Sequence, residues 1–442
     1  MQASTRIQQK KEGIAMQITG AELFVKALLA EQVDTLFAYP GGQAIDLFNA
    51  LYGVSGLRVV LPRHEQGLVH AADGYARSTG KVGVCLVTSG PGATNLVTGI
   101  ATANYDSVPL VCFTGQVPTG LIGNDAFQEV DIVGITRSIT KYAVTVRRRE
   151  DMAAVIKKAF YIARTGKPGV VVVDLPKDIQ QAPGSDCYPA QIEIRGYKPN
   201  TRVHMGQIGK TLECLKRAKR PVFLLGGGVK IAHAGLEMTA LMEKTGIPAV
   251  TTIMGKGAVP TDHPLYVGNL GIHGSYAANT AISRCDVLFS IGVRFNDRIT
   301  GKVSEFAKDA VIIHVDIDPA SISRNIEVDI PIVADAKKAV QALLKNAFAC
   351  DCEDWRKQID LWKKEYPLAV SEIVYSEEAK SDTVQPVKTR SDAVLLESRS
   401  SAGNQGVTPQ AVMGEINRIF KRAVITTDVG QNQLWATQFL EL

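Results

Sequence analysis

The sequence predicts an α/β protein built from doubly wound parallel-sheet domains, and three observations carry that expectation. Short continuous apolar runs, Val82–Thr88, Leu110–Thr114 and Val170–Leu175, are bounded by Gly and Pro. Runs of this length, apolar on both faces, suit parallel strands covered on each side by helices. They alternate with amphipathic helix patterns such as Ala153–Arg164, the succession expected of an α/β domain. Finally, 442 residues that are 45% apolar and 21% charged have ordinary globular composition and room for about three domains of roughly 150 residues each.

Patterned sequence begins at Met16, a candidate true start. Leu23, Ala27, Leu28 and Glu31 form a helical stripe, and Val33–Ala38 a strand. The first domain is expected over 16–183. Residues 184–200, with Gly, Ser and Pro and no sustained periodicity, read as a linker. A second α/β set over 201–345 has strand candidates Val222–Leu225, Pro248–Thr252, Val287–Ile291 and Val311–Ile317, with a helix at Leu236–Lys244. Residues 346–405 read as a helix and a flexible linker, since Ser376–Gln405 is polar and short of aromatics. A helix at Thr408–Arg422 and a strand at Ala423–Thr427 open a third domain over 406–442, too short to bury a core.

The balance of 49 basic and 44 acidic side chains gives +5 without a basic block, which argues against nucleic-acid binding. No stretch reaches the roughly 18 apolar residues of a membrane span. Seven cysteines without finger-like spacing suggest free thiols in a reduced, cytoplasmic setting.

Four stretches could carry chemistry. Tyr39-Pro40-Gly41-Gly42 is a turn between strand and helix, where a plain βα turn and a close approach to a ligand are both open. Glu65, in Leu61–Gly67, opens a helix pattern. It is either a carboxylate favoured by the helix dipole or a buried one that holds a proton on a bound ring nitrogen, because desolvation disfavours its charge. His64 beside it reads as a hydrogen-bonded structural residue. Val87–Asn95 is strand, glycine turn and helix, able to offer free N–H groups but lacking the Lys-Ser/Thr of a P-loop. Gly226-Gly227-Gly228, Gly292–Arg298 and His314–Pro319 each follow a strand candidate in the second set. Ligands of open α/β sheets collect at that edge, so a nucleotide-sized ligand and ordinary structural turns stand side by side. None of the seven histidines has metal-ligand spacing.

Taken together, FAYPGG (Phe37–Gly42), RHEQG (Arg63–Gly67), TSGPGATN (Thr88–Asn95), TGQVPTGLIGNDAFQE (Thr114–Glu129), LPKD (Leu175–Asp178), GVRFNDRITGK (Gly292–Lys302), HVDIDP (His314–Pro319) and TTDVGQNQLW (Thr426–Trp435) resemble the acetohydroxyacid (acetolactate) synthase large catalytic subunit. The resemblance runs from Met16 through nearly the whole chain, and it implies a thiamine-diphosphate-binding fold. It also implies that pyruvate is decarboxylated and the hydroxyethyl-thiamine intermediate joined to pyruvate or 2-ketobutyrate, towards valine, leucine and isoleucine. By the same resemblance Glu65 meets the aminopyrimidine ring of thiamine diphosphate, with Pro40, Gly41, Gly90, Asn95, Gly430 and Gln431 as further cofactor positions. Gly42, Phe127, Gln128 and Lys177 line the substrate pocket. FAD would lie on Lys167, Gly226, Gly227, Gly228, Gly271, His273, Gly274, Ser275, Gly292, Arg294, Asn296, Asp297, Arg298, Asp316, Ile317 and Asp335. A homodimer or tetramer with a small regulatory subunit is implied, as is Mg2+.

Departures qualify the transfer. Asn296 stands where Asp is common, Asn432 where His is common, and Lys167 where Arg is usual, and Lys lacks Arg's bidentate fork. The family's metal-holding segment lies beyond Leu442, so no metal ligand is expected in this chain. It is expected to be inactive alone, with Val424, Leu434, Trp435 and Phe439 exposed. Pyruvate oxidase-like lyases and a non-catalytic fragment are the alternative readings.

Overall fold

A computed structural model describes residues 17–200, 202–368, 408–420 and 423–442. The chain forms two compact units, 1–199 and 200–442. The first contains β1 (Gln17–Thr19), β2 (Thr35–Ala38), β3 (Arg58–Val60), β4 (Gly83–Val87), β5 (Leu110–Gln116), β6 (Tyr142–Thr145), β7 (Val170–Pro176) and β8 (Pro183–Ser185). Six of these form a parallel sheet in the order β3-β2-β4-β5-β7-β6. Every residue of β4, β5 and β7 is buried, because helices cover both faces. Phe24, Phe113 and Phe160 anchor one side, with Phe24 and Phe113 edge to face at 4.9 Å.

The second unit contains β9 (Pro221–Leu225), β10 (Ala249–Thr251), β11 (Tyr266–Asn269), β12 (Val287–Ile291), β13 (Val311–Asp316) and β14 (Ile330–Val333). They form a parallel sheet in the order β11-β10-β9-β12-β13-β14. The strand order switches direction between β2 and β4 in the first sheet, where β7 also turns back to lie between β5 and β6, and between β9 and β12 in the second; at such a switch point the strand ends open a crevice.

Several expectations are corrected. Residues 183–185, expected within or beside a linker, pair antiparallel with β1, and Arg149 donates to Ile18 O and Ala182 O across that pair. Tyr188, Ile194 and Tyr197 then pack on the first core, so much of 184–200 is tied down by apolar side chains. Ala423–Thr427 is not a strand: no partner strand lies beside it, and 423–430 are exposed. The helix before it is Pro409–Ile419 rather than reaching Arg422. Residues 408–442 pack within the second unit, where Lys256 Nζ and Asn269 Nδ2 both donate to Thr437 O, at 2.6 and 2.9 Å. Val424 is exposed, but Leu434, Trp435 and Phe439 are half-buried by this packing. Met16 and Ser376–Gln405 lie outside the described residues. Among the described residues no helix is long and apolar enough to cross a membrane.

Candidate active site

The first unit gathers its expected residues at the switch-point edge. The turn Tyr39–Gly42 leaves β2 beside the turn that leaves β4: Tyr39 N donates to Leu86 O at 2.9 Å and Gln43 N to Thr88 Oγ1 at 3.2 Å. Gly90 has φ +59°, and a Cβ there would come within 2.7 Å of Gln128 O. Only glycine permits this approach, so the loop carrying Phe127 and Gln128 lies directly against the Gly90 turn.

Glu65 enters from the neighbouring strand. It begins the helix Glu65–Thr79 after β3, and His64 caps that helix by accepting from Gln66 N through Nδ1 at 3.1 Å. His64 is thus the structural residue expected. Glu65 is half-buried rather than buried, since its position in the first helical turn leaves one flank to the crevice mouth. Asn95 Nδ2 donates to Glu65 Oε2 at 3.0 Å, which joins the second and third motifs in one contact. At the end of β7, Lys177 Nζ donates to Gly42 O at 3.0 Å. Phe127 is 83% exposed, and Gln128 is exposed with φ +58°.

The edge also holds groups that sequence reading missed. Ser89 Oγ is buried without a partner, as is Gln43 Oε1. An orphaned hydroxyl beside a glycine turn and a fixed carboxylate is a donor set suited to a polar ring and its substituents, so the residues present fit thiamine diphosphate. Ser89 was legible only as part of its motif, because burial of its hydroxyl depends on the fold. Pro40 and Gly41 belong to the same edge, whereas Gly430 and Gln431 lie in the second unit, exposed at the start of the helix Gln431–Phe439.

The second unit's switch point is built backbone to backbone. Gly226 N donates to Ile291 O and Gly228 N to Gly292 O. Gly292 has φ +61°, and a Cβ there would meet Gly228 Cα at 2.5 Å. Beneath this contact His314 is fully buried, with Nε2 2.9 Å from Val293 O and its ring edge to face with Phe295 at 5.0 Å. Burial pushes its pKa down to about 4 and keeps the ring neutral.

Asp316 ends the adjacent strand β13 with Ile317 following it, and Arg294, Asn296, Asp297 and Arg298 are exposed after β12. Glycine turns, a strand-end carboxylate and guanidiniums together fit a dinucleotide such as FAD. Some expected contacts have local structural duties: Ser275 and Asp335 cap helices by accepting from Ala278 N and Lys338 N. Gly271, His273 and Gly274 form the turn after β11, while Lys167 lies in the first unit, in the turn before β7. Among the described residues no group of three His, Cys, Asp or Glu side chains converges to hold a metal.

Comparison with known proteins assigns a family to each of the two domains. Residues 18–135 match the family described as "Thiamine pyrophosphate enzyme, N-terminal TPP binding domain", and 208–343 match "Thiamine pyrophosphate enzyme, central domain". The fold and site therefore define a thiamine-pyrophosphate enzyme. The chain is 46% identical over 428 residues to the probable acetolactate synthase large subunit of Methanocaldococcus jannaschii, covering 96% of this chain and 68% of that protein. It is 42% identical to the acetolactate synthase large subunit of Buchnera aphidicola subsp. Schizaphis graminum and to the isozyme 3 large subunit of Escherichia coli, in each case over 96% of this chain and 70% of the relative. The chain belongs to the acetolactate synthase large-subunit family.

Proposed function

We propose that this chain performs the acetolactate synthase reaction at the β2/β4 edge, decarboxylating pyruvate and joining the two-carbon fragment to a second pyruvate or to 2-ketobutyrate, towards branched-chain amino acids. The observation that carries the reading is the Glu65–Asn95 contact, with Gly42, Gln128 and Lys177 on the same edge. Thiamine diphosphate, when bound, supplies the electron sink that decarboxylation needs. Glu65 holds a proton at the ring nitrogen, and Asn95 preorients the carboxylate by fixing one of its oxygens. Lys177 attracts the ketoacid carboxylate, and Gln128 hydrogen-bonds it. Phe127, projecting from the loop, walls the pocket.

Gly430 and Gln431, at a helix start whose N–H groups favour negative charge, are family positions that would bind a diphosphate, with Mg2+ alongside. FAD would be held by Gly226–Gly228, Gly292–Arg298 and Asp316–Ile317 in a structural role, since the reaction has no net redox change; Lys167 is a further family position for it. A homodimer or tetramer with a small regulatory subunit fits the relatives' designation as large subunits, and the cytoplasm fits seven free cysteines. The test is acetolactate formation from pyruvate with thiamine diphosphate, Mg2+ and FAD added. A Glu65→Gln protein should retain bound flavin and lose activity. Failure of the unsubstituted, cofactor-loaded protein to form acetolactate overturns the reading.

A further inference from the structure

We propose that Gln116, oriented by the buried Asp174, clasps both ends of the loop 117–131 and thereby positions Phe127 and Gln128 for the ketoacid; the role rests on the acetolactate synthase reading above. Gln116 ends β5 and is 3% exposed. Its Oε1 accepts from Val117 N at 2.9 Å, at the start of the loop, and its Nε2 donates to Val130 O at 3.0 Å, at the end. One side chain therefore closes the loop's mouth from both sides. A second donation from Nε2 reaches Asp174 Oδ2 at 3.1 Å, so both N–H groups and the oxygen of the amide are engaged.

Asp174, on β7 and 1% exposed, is fixed in turn by Thr114 Oγ1 at 2.7 Å and Thr145 Oγ1 at 3.1 Å, from the strands on either side. With its oxygens held by three donors, the carboxylate presents an acceptor to Gln116 and dictates which way round the amide sits. Reversing that amide would place its oxygen against the carboxylate and Val130 O and its N–H groups against Val117 N, leaving Val117 N without an acceptor. Buried groups left without partners are costly, so the polar cluster specifies a single arrangement.

The rest of the loop transmits that arrangement. Thr119 N donates to Asp178 Oδ1 at 3.0 Å, and Glu129 accepts from Gly123 N and from Ala126 N. A short loop with its ends together and its interior internally bonded moves as a unit. It lies against Gly90 through Gln128 O, so releasing the mouth shifts Gln128 relative to that turn. Gln116 and Asp174 are positioning residues, acting through the loop.

The experiment is hydrogen exchange followed by mass spectrometry on the unsubstituted protein and on Gln116→Met and Asp174→Asn, together with pyruvate kinetics in the presence of thiamine diphosphate, Mg2+ and FAD. Loss of one buried hydrogen bond corresponds to about a tenfold change. Peptides within 117–131 should exchange about tenfold faster in both variants, while peptides of β4, β5 and β7 keep their rates. The pyruvate KM should rise several-fold more than kcat falls. Unchanged loop exchange overturns the clasp, as does equal acceleration across the sheet, and faster loop exchange with an unchanged KM overturns the positioning role. If the unsubstituted protein forms no acetolactate, the functional reading fails separately and the exchange result alone decides the clasp. Circular dichroism identifies a variant that does not fold, and the other variant then decides.

Discussion

The two sheet edges share a topology and use it oppositely. In strand order counted within each six-stranded sheet, the first runs 2-1-3-4-6-5 and the second 3-2-1-4-5-6, both doubly wound with a switch point beside the first strand, though the first turns back once more at its far edge. At the first, the turns present polar side chains, with Glu65 held by Asn95, Lys177 against Gly42 O and the loop bearing Phe127 and Gln128, while Gly90 lets that loop approach closely. At the second, Gly226, Gly228 and Gly292 press two turns together, over a neutral, buried His314. Both edges use glycines for close approach, but the first also positions a carboxylate, an amide and a lysine, whereas the second joins its turns backbone to backbone. The same parallel sheet thus supports chemistry or binding according to the turn that leaves each strand.

Substitutions at the two edges should separate these roles. The largest effect is expected for Glu65→Gln. Positioned acid–base groups contribute about 10²- to 10⁴-fold, so acetolactate formation should drop by at least about 100-fold while the denaturation midpoint stays near that of the unsubstituted protein. A matching loss of stability would instead make Glu65 structural. Next is Gly292→Ala, where a positive φ and a Cβ 2.5 Å from Gly228 Cα combine backbone strain with overpacking. A loss of about 2–4 kcal/mol in denaturant unfolding is expected, and a near-neutral result would break the backbone-to-backbone account.

A third contrast lies in pH. Burial raises the Asp174 pKa to about 6, whereas burial lowers that of His314 to about 4. Between its unfolded value of 3.8 and about 6, the folded protein holds the Asp174 proton more tightly than the unfolded chain does, so this group's contribution to stability falls as pH rises. Between about 4 and the unfolded value of 6.5, the folded protein binds fewer protons at His314. That contribution is present above pH 6.5 and is lost as pH falls towards 4. The two slopes oppose each other in the unsubstituted protein. Asp174→Asn should therefore make unfolding free energy climb between pH 4.5 and 6 by about 2 kcal/mol more than in the unsubstituted protein, by the linkage of roughly 1.4 kcal/mol per pKa unit. His314→Gln should make it climb less. Parallel curves for all three proteins would refute the opposition. The smallest effect is expected for Gly42→Ala: a Cβ there meets nothing within 4 Å, unlike one at Gly41 or Gly90, so stability should stay within about 0.5 kcal/mol, and a larger loss would refute the open space at this position.

Legibility in the sequence tracked burial pattern. β4, β5, β7, β9, β12 and β13 were readable because each carries a run of consecutive apolar residues. β3 and β6 are short, with no fully buried residue, and β11 and β14 are four-residue edge strands. Edge strands lack a second neighbour, so their side chains need not be apolar on both faces. The converse error occurred at Ala423–Thr427, where Val-Ile beside Thr-Thr has strand propensity but no sheet to join. At the site, Glu65, Asn95, Gln128 and Lys177 were recognisable through their motifs. Asp174 passed as a member of the Val170–Leu175 run, where a polar residue inside a buried strand is the signal that could have found it, and Gln116 lay beyond the expected Leu110–Thr114 strand, which in fact continues to Gln116.

The sequence by itself determined the alternation of strand and helix, the glycine turns at strand ends, and the residue types that identify a thiamine-dependent family, because periodicity and local backbone chemistry are written into consecutive residues. Only the tertiary structure decided which strand ends meet at each switch point, that Asn95 reaches Glu65 across 30 positions, and that Gln116 faces Asp174 across 58. Those pairings are fixed by strand order and register, which join residues remote in sequence and which no local pattern encodes.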